Sequence, residues 1–176
     1  MFSGYRPKNS FDEYFKDNVN SAREILIPLL SSLDNMGLEE LNRNHSAAKK
    51  LLLRHGATFR LNDTGLKGTE RILPFDPLPR IISKDDWITL EKGLKQRLEA
   101  IDLFLDDIYN SQNIINDGII PRELIESSEG WRPQMTGFKP PLNRWCQISG
   151  LDLIRDRKGD WHVLEDNLRC PSGVAY

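Results

Sequence analysis

The last two dozen residues, 150–173, constrain the fold of this chain more than any other stretch. Two runs in it alternate between apolar and polar residues, and this period of two is typical of β-strands. Their apolar members are Leu151 and Leu153, then Trp161 and Val163. The polar segment 156–160 between the runs contains Gly159, and a hairpin turn often requires a glycine because glycine adopts positive φ without strain. The sequence therefore predicts a β-hairpin.

Three oxygen-bearing side chains on this predicted hairpin are candidate metal ligands. Asp152 is on the outgoing strand, and Glu165 and Asn167 end the returning strand. Residues two apart on a strand point to the same face, and an antiparallel partner can bring Asp152 alongside the other two. Two carboxylates and an amide oxygen form a hard ligand set, which suits Mg²⁺ together with phosphate oxygens. Acidic hairpin residues are also commonly solvated surface, so the spacing alone leaves both interpretations open.

The residues after the second strand are unusual for a strand. Pro171 ends the pairing, and Gly173 allows close approach of another backbone. Exposed amides in this segment, together with Arg169, can meet an anion.

Composition excludes several classes of protein. The chain has 176 residues, 39% of them hydrophobic and 28% charged, which describes an ordinary globular chain of one domain or slightly more. Its net charge of −2 gives no basic excess for nucleic acid or an anionic membrane, and we predict neither as a partner. Cys146 and Cys170 form no disulfide framework, and we found no signal peptide or membrane-spanning run. We predict a cytoplasmic protein.

The rest of the chain indicates a mixed fold. Residues 1–10 lack periodicity and are predicted to be flexible, and the folded part is predicted to begin at residue 11. Helical patterns fill the first half and begin again after Ser83, and Ser10 with Glu13 predicts a capped short helix. Residues 142–148 are predicted as a strand that leads into the hairpin. We expect an α+β fold with helices packed on an antiparallel sheet.

A proline-rich loop, 68–79, is the second informative stretch. Rigid, charged loops commonly hold substrates, and Arg80 directly after it is a candidate ligand-binding residue. The alternative is structural, because Arg71 and Arg80 can pair with Glu70 or Asp76 and fix the loop.

The segment Val163–Gly173, with the sequence VLEDNLRCPSG, resembles the Glu-x-Asn motif of ATP-grasp ligases and, more closely, that of the circularly permuted ATP-grasp family. Six further stretches also resemble that family and arrive in its order. They are Gly68–Arg71, Pro74–Asp76, Pro79–Ile82, Gly93–Arg97, Asp117–Pro121 and Gly150–Asp152. The similarity covers the chain from about Tyr14 to its end.

The resemblance implies an activity and its cofactors. ATP-grasp enzymes hold ATP between two α+β subdomains and activate a carboxylate as an acyl phosphate, which an amine then attacks. The resemblance extends to glutathionylspermidine-synthetase-like ligases. The implied cofactors are ATP and Mg²⁺, and the implied partners are a small-molecule or peptide carboxylate and an amine.

The resemblance also implies roles for particular residues. The implied Mg²⁺ ligands are Asp152, Glu165 and Asn167. Arg169 would stabilise the transferring phosphate, and Arg80 would meet the carboxylate substrate. Backbone amides around Ser172 and Gly173 would assist at the nucleotide.

This sequence differs from the family in one respect that limits these expectations. In the permuted family most of the nucleotide-binding part follows the Glu-x-Asn segment, whereas this sequence ends at Tyr176. We therefore expect residues 11–176 to be the N-terminal portion of a circularly permuted ATP-grasp domain that is incomplete in this sequence. Such a portion of a longer ligase would be inactive alone and completed by a C-terminal half or a separate chain. The alternative is a non-catalytic binding or assembly module derived from an ATP-grasp enzyme.

Overall fold

The computed structural model describes residues 2–7, 10–17, 20–60, 70–72 and 74–175. The chain divides into two compact units. The first unit comprises residues 1–83 and the hairpin turn 155–160, and the second comprises 84–154 and 161–175.

A long helix, α1 (Ile27–Arg54), dominates the first unit. Pro28 lies in its first turn, where the missing N–H costs nothing because the first amides of a helix have no partner within it. Gly37 interrupts the helix with φ 77° and ψ 165°, and Gly56, with φ 69°, follows its end. Glycine adopts such positive φ values without the strain that a side chain would cause.

The short helix predicted after Ser10 is wrong. The carboxylate of Asp12 accepts hydrogen bonds from the amides of Tyr14 and Phe15, both at 2.8 Å, and Phe15 then forms an antiparallel bridge with Ala22. Such a local side-chain turn competes directly with a helix. It delivers Phe15, 3% exposed, into a small core with Leu26 and Leu30.

A short pair of antiparallel strands also belongs to the first unit. Strand β1 (Thr58–Arg60) pairs with β2 (Glu70–Ile72) in the register Thr58↔Ile72, Phe59↔Arg71, Arg60↔Glu70. The predicted Gly68–Arg71 motif lies partly outside the described residues, as do the side chains of Glu70 and Arg71.

The second unit is built on α2 (Lys84–Tyr109), which confirms the helix predicted after Ser83. Short helices α3 (Asn113–Asn116) and α4 (Arg122–Glu126) follow it. At the end of α2 the buried Tyr109 stacks on Trp131 and Trp145, with ring centroids 4.5 and 5.0 Å away. This aromatic stack attaches the irregular segment after α4 to the helix.

The strand predicted over 142–148 is also wrong. The chain there makes a 3₁₀ turn, Pro141–Asn143, in which Leu142 adopts φ 57°. The backbone amides of Trp145 and Cys146 then donate to the buried carboxylate of Asp102 on α2, at 2.9 and 3.1 Å. Amides held by a side chain are not available to a β-ladder, so pairing begins only at residue 150.

Strands β3 (Gly150–Arg155) and β4 (Trp161–Asn167) form the predicted hairpin. Gly159 in its turn has φ 93°, and the Asp156 amide donates to the Asp160 carbonyl at 3.0 Å. Helices with two-stranded antiparallel sheets confirm the α+β class. In the part of the chain that is described, no helix has the length and apolar character to cross a membrane.

Candidate functional site

The open end of the β3–β4 hairpin forms a cleft of about 520 Å³. Strand β3 begins and β4 ends there, and the chain then turns back through a 3₁₀ turn, Ser172–Ala175. The cleft is lined by the start of β3, by the end of β4 and by residues 170, 171, 173 and 174.

Close contact between Gly150 and Pro171 shapes this cleft. A Cβ added to Gly150 would lie 2.7 Å from the Cβ of Pro171, which is closer than non-bonded carbon atoms approach each other. The proline can therefore pack on the start of β3 only because residue 150 is glycine. Gly173 was the predicted point of close approach, but a Cβ built there meets no described atom within 4 Å.

Two of the three predicted metal ligands share this cleft. Asp152 is exposed and Asn167 is half-buried, and both line its wall. Glu165 is exposed and does not line it, although alternation along β4 puts Glu165 on the same strand face as Asn167. The described residues contain no cluster of three His, Cys, Asp or Glu side chains that could hold a metal, so a metal here would depend on the Asn167 amide oxygen.

Asp166, the residue between Glu165 and Asn167 in the sequence, forms an ion pair that sequence reasoning missed. The carboxylate of Asp166 accepts two hydrogen bonds from the guanidinium of Arg97 on α2, Nε to Oδ1 at 2.7 Å and Nη2 to Oδ2 at 2.6 Å. This hydrogen bonding by Arg97 lowers the pKa of Asp166 below its ordinary value. A signal was present, since Arg97 ends one of the motifs that resemble the family, but the sequence did not identify its partner 69 residues away.

The predicted anion-binding residues follow β4. Arg169 is exposed and is not among the residues that line the cleft. Ser172 and Gly173 belong to the 3₁₀ turn, in which the Val174 amide donates to the Pro171 carbonyl at 3.3 Å. The side chain of Ser172 lies outside the described part of the structure. Phosphate binding by this segment stays a prediction.

Arg80 belongs to the first unit and is engaged in an ion pair. Its Nε lies 3.2 Å from Oε1 of Glu13, whose other oxygen lies 3.2 Å from Nη1 of Arg155. Asp76, a predicted partner, instead accepts a hydrogen bond from the Leu78 amide at 2.9 Å. The Arg80 side chain is 55% exposed, which leaves it accessible to a ligand.

Comparison with known proteins decides the family. Residues 79–176, more than half of the chain, match the family model described as circularly permuted ATP-grasp type 2. This chain belongs to that circularly permuted ATP-grasp family. The match contains the whole hairpin and the turn that follows it, and it confirms the family that the sequence motifs indicate.

Relatives of this ATP-grasp chain align along its whole length. An uncharacterized protein of Synechocystis sp. is 46% identical over 177 residues, and one of Mycobacterium bovis is 40% identical over 180 residues. A Frankia alni protein with the name "Putative glutamate--cysteine ligase 2-3" is 36% identical over 178 residues. Each alignment covers 100% of this chain but only 36%, 32% and 20% of the respective relative. The chain thus spans about a third or less of the relatives that it matches.

Proposed function

We propose that this chain contributes the metal-binding hairpin of an ATP- and Mg²⁺-dependent carboxylate–amine ligase. One observation carries the proposal beyond family membership: the hairpin brings Asp152 and Asn167, two hard oxygen donors from different strands, into one cleft. The name of the Frankia relative, a ligase of glutamate and cysteine, supports the same reaction class.

The donor set fits magnesium. Mg²⁺ is commonly bound through one or two carboxylates, with substrate phosphates and water completing its coordination, rather than by an all-protein cage. Asp152 and Asn167 would provide two ligands and Glu165 the third. The bound ion would neutralise charge on the nucleotide phosphates during phosphoryl transfer. The chain's own contribution is to hold these oxygens in a fixed arrangement.

The remaining roles concern the anion and the carboxylate substrate. Arg169 and the amides near Gly173 would orient the phosphate that is transferred to the substrate carboxylate, giving an acyl phosphate for attack by the amine. Arg80 would bind the carboxylate substrate, which would then replace Glu13 as its partner. An arginine fork suits this exchange because it binds either carboxylate with the same geometry.

We further propose that residues 1–176 alone do not turn over. The chain spans about a third or less of its relatives, and the elements that hold adenine would come from the remainder of such a protein. The second candidate is a non-catalytic binding or assembly module. Glu165 is exposed and does not line the cleft. This position favours the module, because the proposed metal site uses Glu165 as its third ligand.

Calorimetric titration of Mg²⁺-ATP tests the proposal. The proteins are the wild type, Glu165→Ala, Asn167→Ala and the control Asp160→Ala, which removes an exposed carboxylate from the turn at the other end of the hairpin. We expect weak binding that both ligand substitutions reduce and the control does not.

Three results would contradict parts of this proposal. No heat at millimolar nucleotide would mean that the chain has no working site, which favours the module. Binding that is indifferent to both substitutions would refute the ligand assignment. ATP hydrolysis by the chain alone, lost in Glu165→Ala, would refute the proposed inactivity.

A further inference from the structure

The ion pair between Arg97 and Asp166 holds the strand end that carries two of the proposed metal ligands. Asp166 lies between Glu165 and Asn167, and strand alternation directs it to the opposite face. Its side chain is 20% exposed, and both of its oxygens are occupied by one guanidinium.

The geometry of this pair restricts rotation. A single hydrogen bond permits a carboxylate to swing, whereas two parallel N–H···O bonds define both its position and its plane. Arg97 lies within the 26-residue helix α2, between the half-buried Leu94 and Leu98. The strand end is therefore attached to a rigid element rather than to a loop.

The pair has a second consequence for metal chemistry. Asp166 is itself a hard carboxylate next to two proposed ligands in the sequence, and on the opposite face of the strand it is paired with Arg97. Because Arg97 engages both of its oxygens, Asp166 is not available as a further ligand.

We infer that Arg97 is a positioning residue that acts through Asp166 to fix the orientation of Glu165 and Asn167. This inference rests on the proposed function, since it assigns Arg97 to the same site. Partners that orient metal ligands commonly change metal affinity or activity by about 10- to 100-fold when they are removed.

Two measurements on the full chain test this role. The first uses no ligand: ¹⁵N NMR of the amides of residues 165–167 and of the Asn167 side chain. The second is titration of Mn²⁺-ATP, in which Mn²⁺ broadens the signals of groups near the ion. The variants are Arg97→Met, Arg97→Lys and the charge-reversed pair Arg97→Glu with Asp166→Arg.

A matched control lies on the same helix. Lys95→Met removes an exposed ion pair with Glu91, Nζ to Oε1 at 2.8 Å, two positions from Arg97. Far-UV circular dichroism on every variant checks that the helices are retained.

We expect Arg97→Met to shift or broaden the signals of 165–167 and to weaken Mn²⁺-ATP binding about tenfold. Arg97→Lys should have effects on the signals and on binding that are intermediate between those of the wild type and Arg97→Met, since lysine keeps the charge but lacks the planar fork. Charge reversal should restore the strand-end signals, and Lys95→Met should leave signals and binding unchanged.

The inference is overturned if Arg97→Met leaves the 165–167 signals unchanged or if Lys95→Met perturbs them equally. A wild-type chain that does not bind Mn²⁺-ATP, with the expected NMR changes present, refutes the proposed function while the attachment of the strand end by Arg97 stands.

Discussion

Substitution of Gly150 by alanine should destabilise the second unit. The added Cβ would lie 2.7 Å from the Pro171 Cβ and 3.6 Å from its Cγ. Carbon atoms in ordinary contact are about 3.5 to 4.0 Å apart, so the two groups must separate by roughly 1 Å. The proline ring cannot rotate away as a flexible side chain would, because it is closed onto its own backbone. Overpacking of this kind costs about 1 to 3 kcal/mol.

A second glycine provides a control, because its substitution by alanine should change the free energy of unfolding in the opposite direction. Gly93 lies within α2, and a Cβ built on it meets no described atom within 4 Å. Alanine there should stabilise the protein by about 0.5 to 1 kcal/mol, because it reduces the conformational freedom of the unfolded chain. Urea unfolding followed by tryptophan fluorescence measures both changes from the same transition.

A double-mutant cycle isolates the contact itself. Pro171→Gly removes both proline atoms that the new methyl group would meet, so Gly150→Ala should cost less in that background than in the wild type. An equal cost in both backgrounds would place the effect elsewhere. A neutral Gly150→Ala would refute the proposed packing of Pro171 on β3.

Three further predictions concern charged and thiol groups in the same unit. Asp102→Ala should lower the free energy of unfolding by about 2 to 3 kcal/mol in a denaturant titration, since the buried carboxylate accepts three hydrogen bonds. Arg97 lowers the pKa of Asp166 in the folded protein, so the ionised carboxylate stabilises the fold. This stabilisation should be complete well above pH 3.8 and lost as the pH falls through the folded-state pKa. Asp166→Asn should remove that part of the pH dependence of the free energy of unfolding. The exposed Cys170 should react with a disulfide reagent before Cys146, whose thiol pKa is raised by burial and by nearby Asp102; Cys170→Ser should therefore abolish the fast phase, and a fast phase that survives would contradict this order.

Local sequence patterns predicted secondary structure correctly where the conformation of a segment depends mainly on residues close to it in the sequence. Alternation and Gly159 predict the hairpin, and apolar periodicity predicts α2. Turn chemistry explains one failure, because Asp12 forms its own local turn at the residues where Ser10 predicts a helix cap. That signal was present in the sequence but competed with a stronger-looking motif.

Long-range partners explain the other failure. Nothing in the sequence near residues 142–148 indicates that the backbone amides of Trp145 and Cys146 donate hydrogen bonds to Asp102. That residue is 43 and 44 positions away from them. Trp145 and Ile148 are residue types common in strands, but a buried carboxylate requires hydrogen-bond donors. Tertiary context therefore overrode local propensity.

The sequence by itself determined the family, the α+β class and the residue types that could bind metal and phosphate, because motifs and periodicity are properties of neighbouring residues. Only the tertiary structure decided which charges pair: Arg97 with Asp166, and Arg80 with Glu13. It also decided that Gly150, rather than Gly173, admits the close approach beside the cleft. These choices depend on distances between residues far apart in the chain, and charge type alone does not specify them.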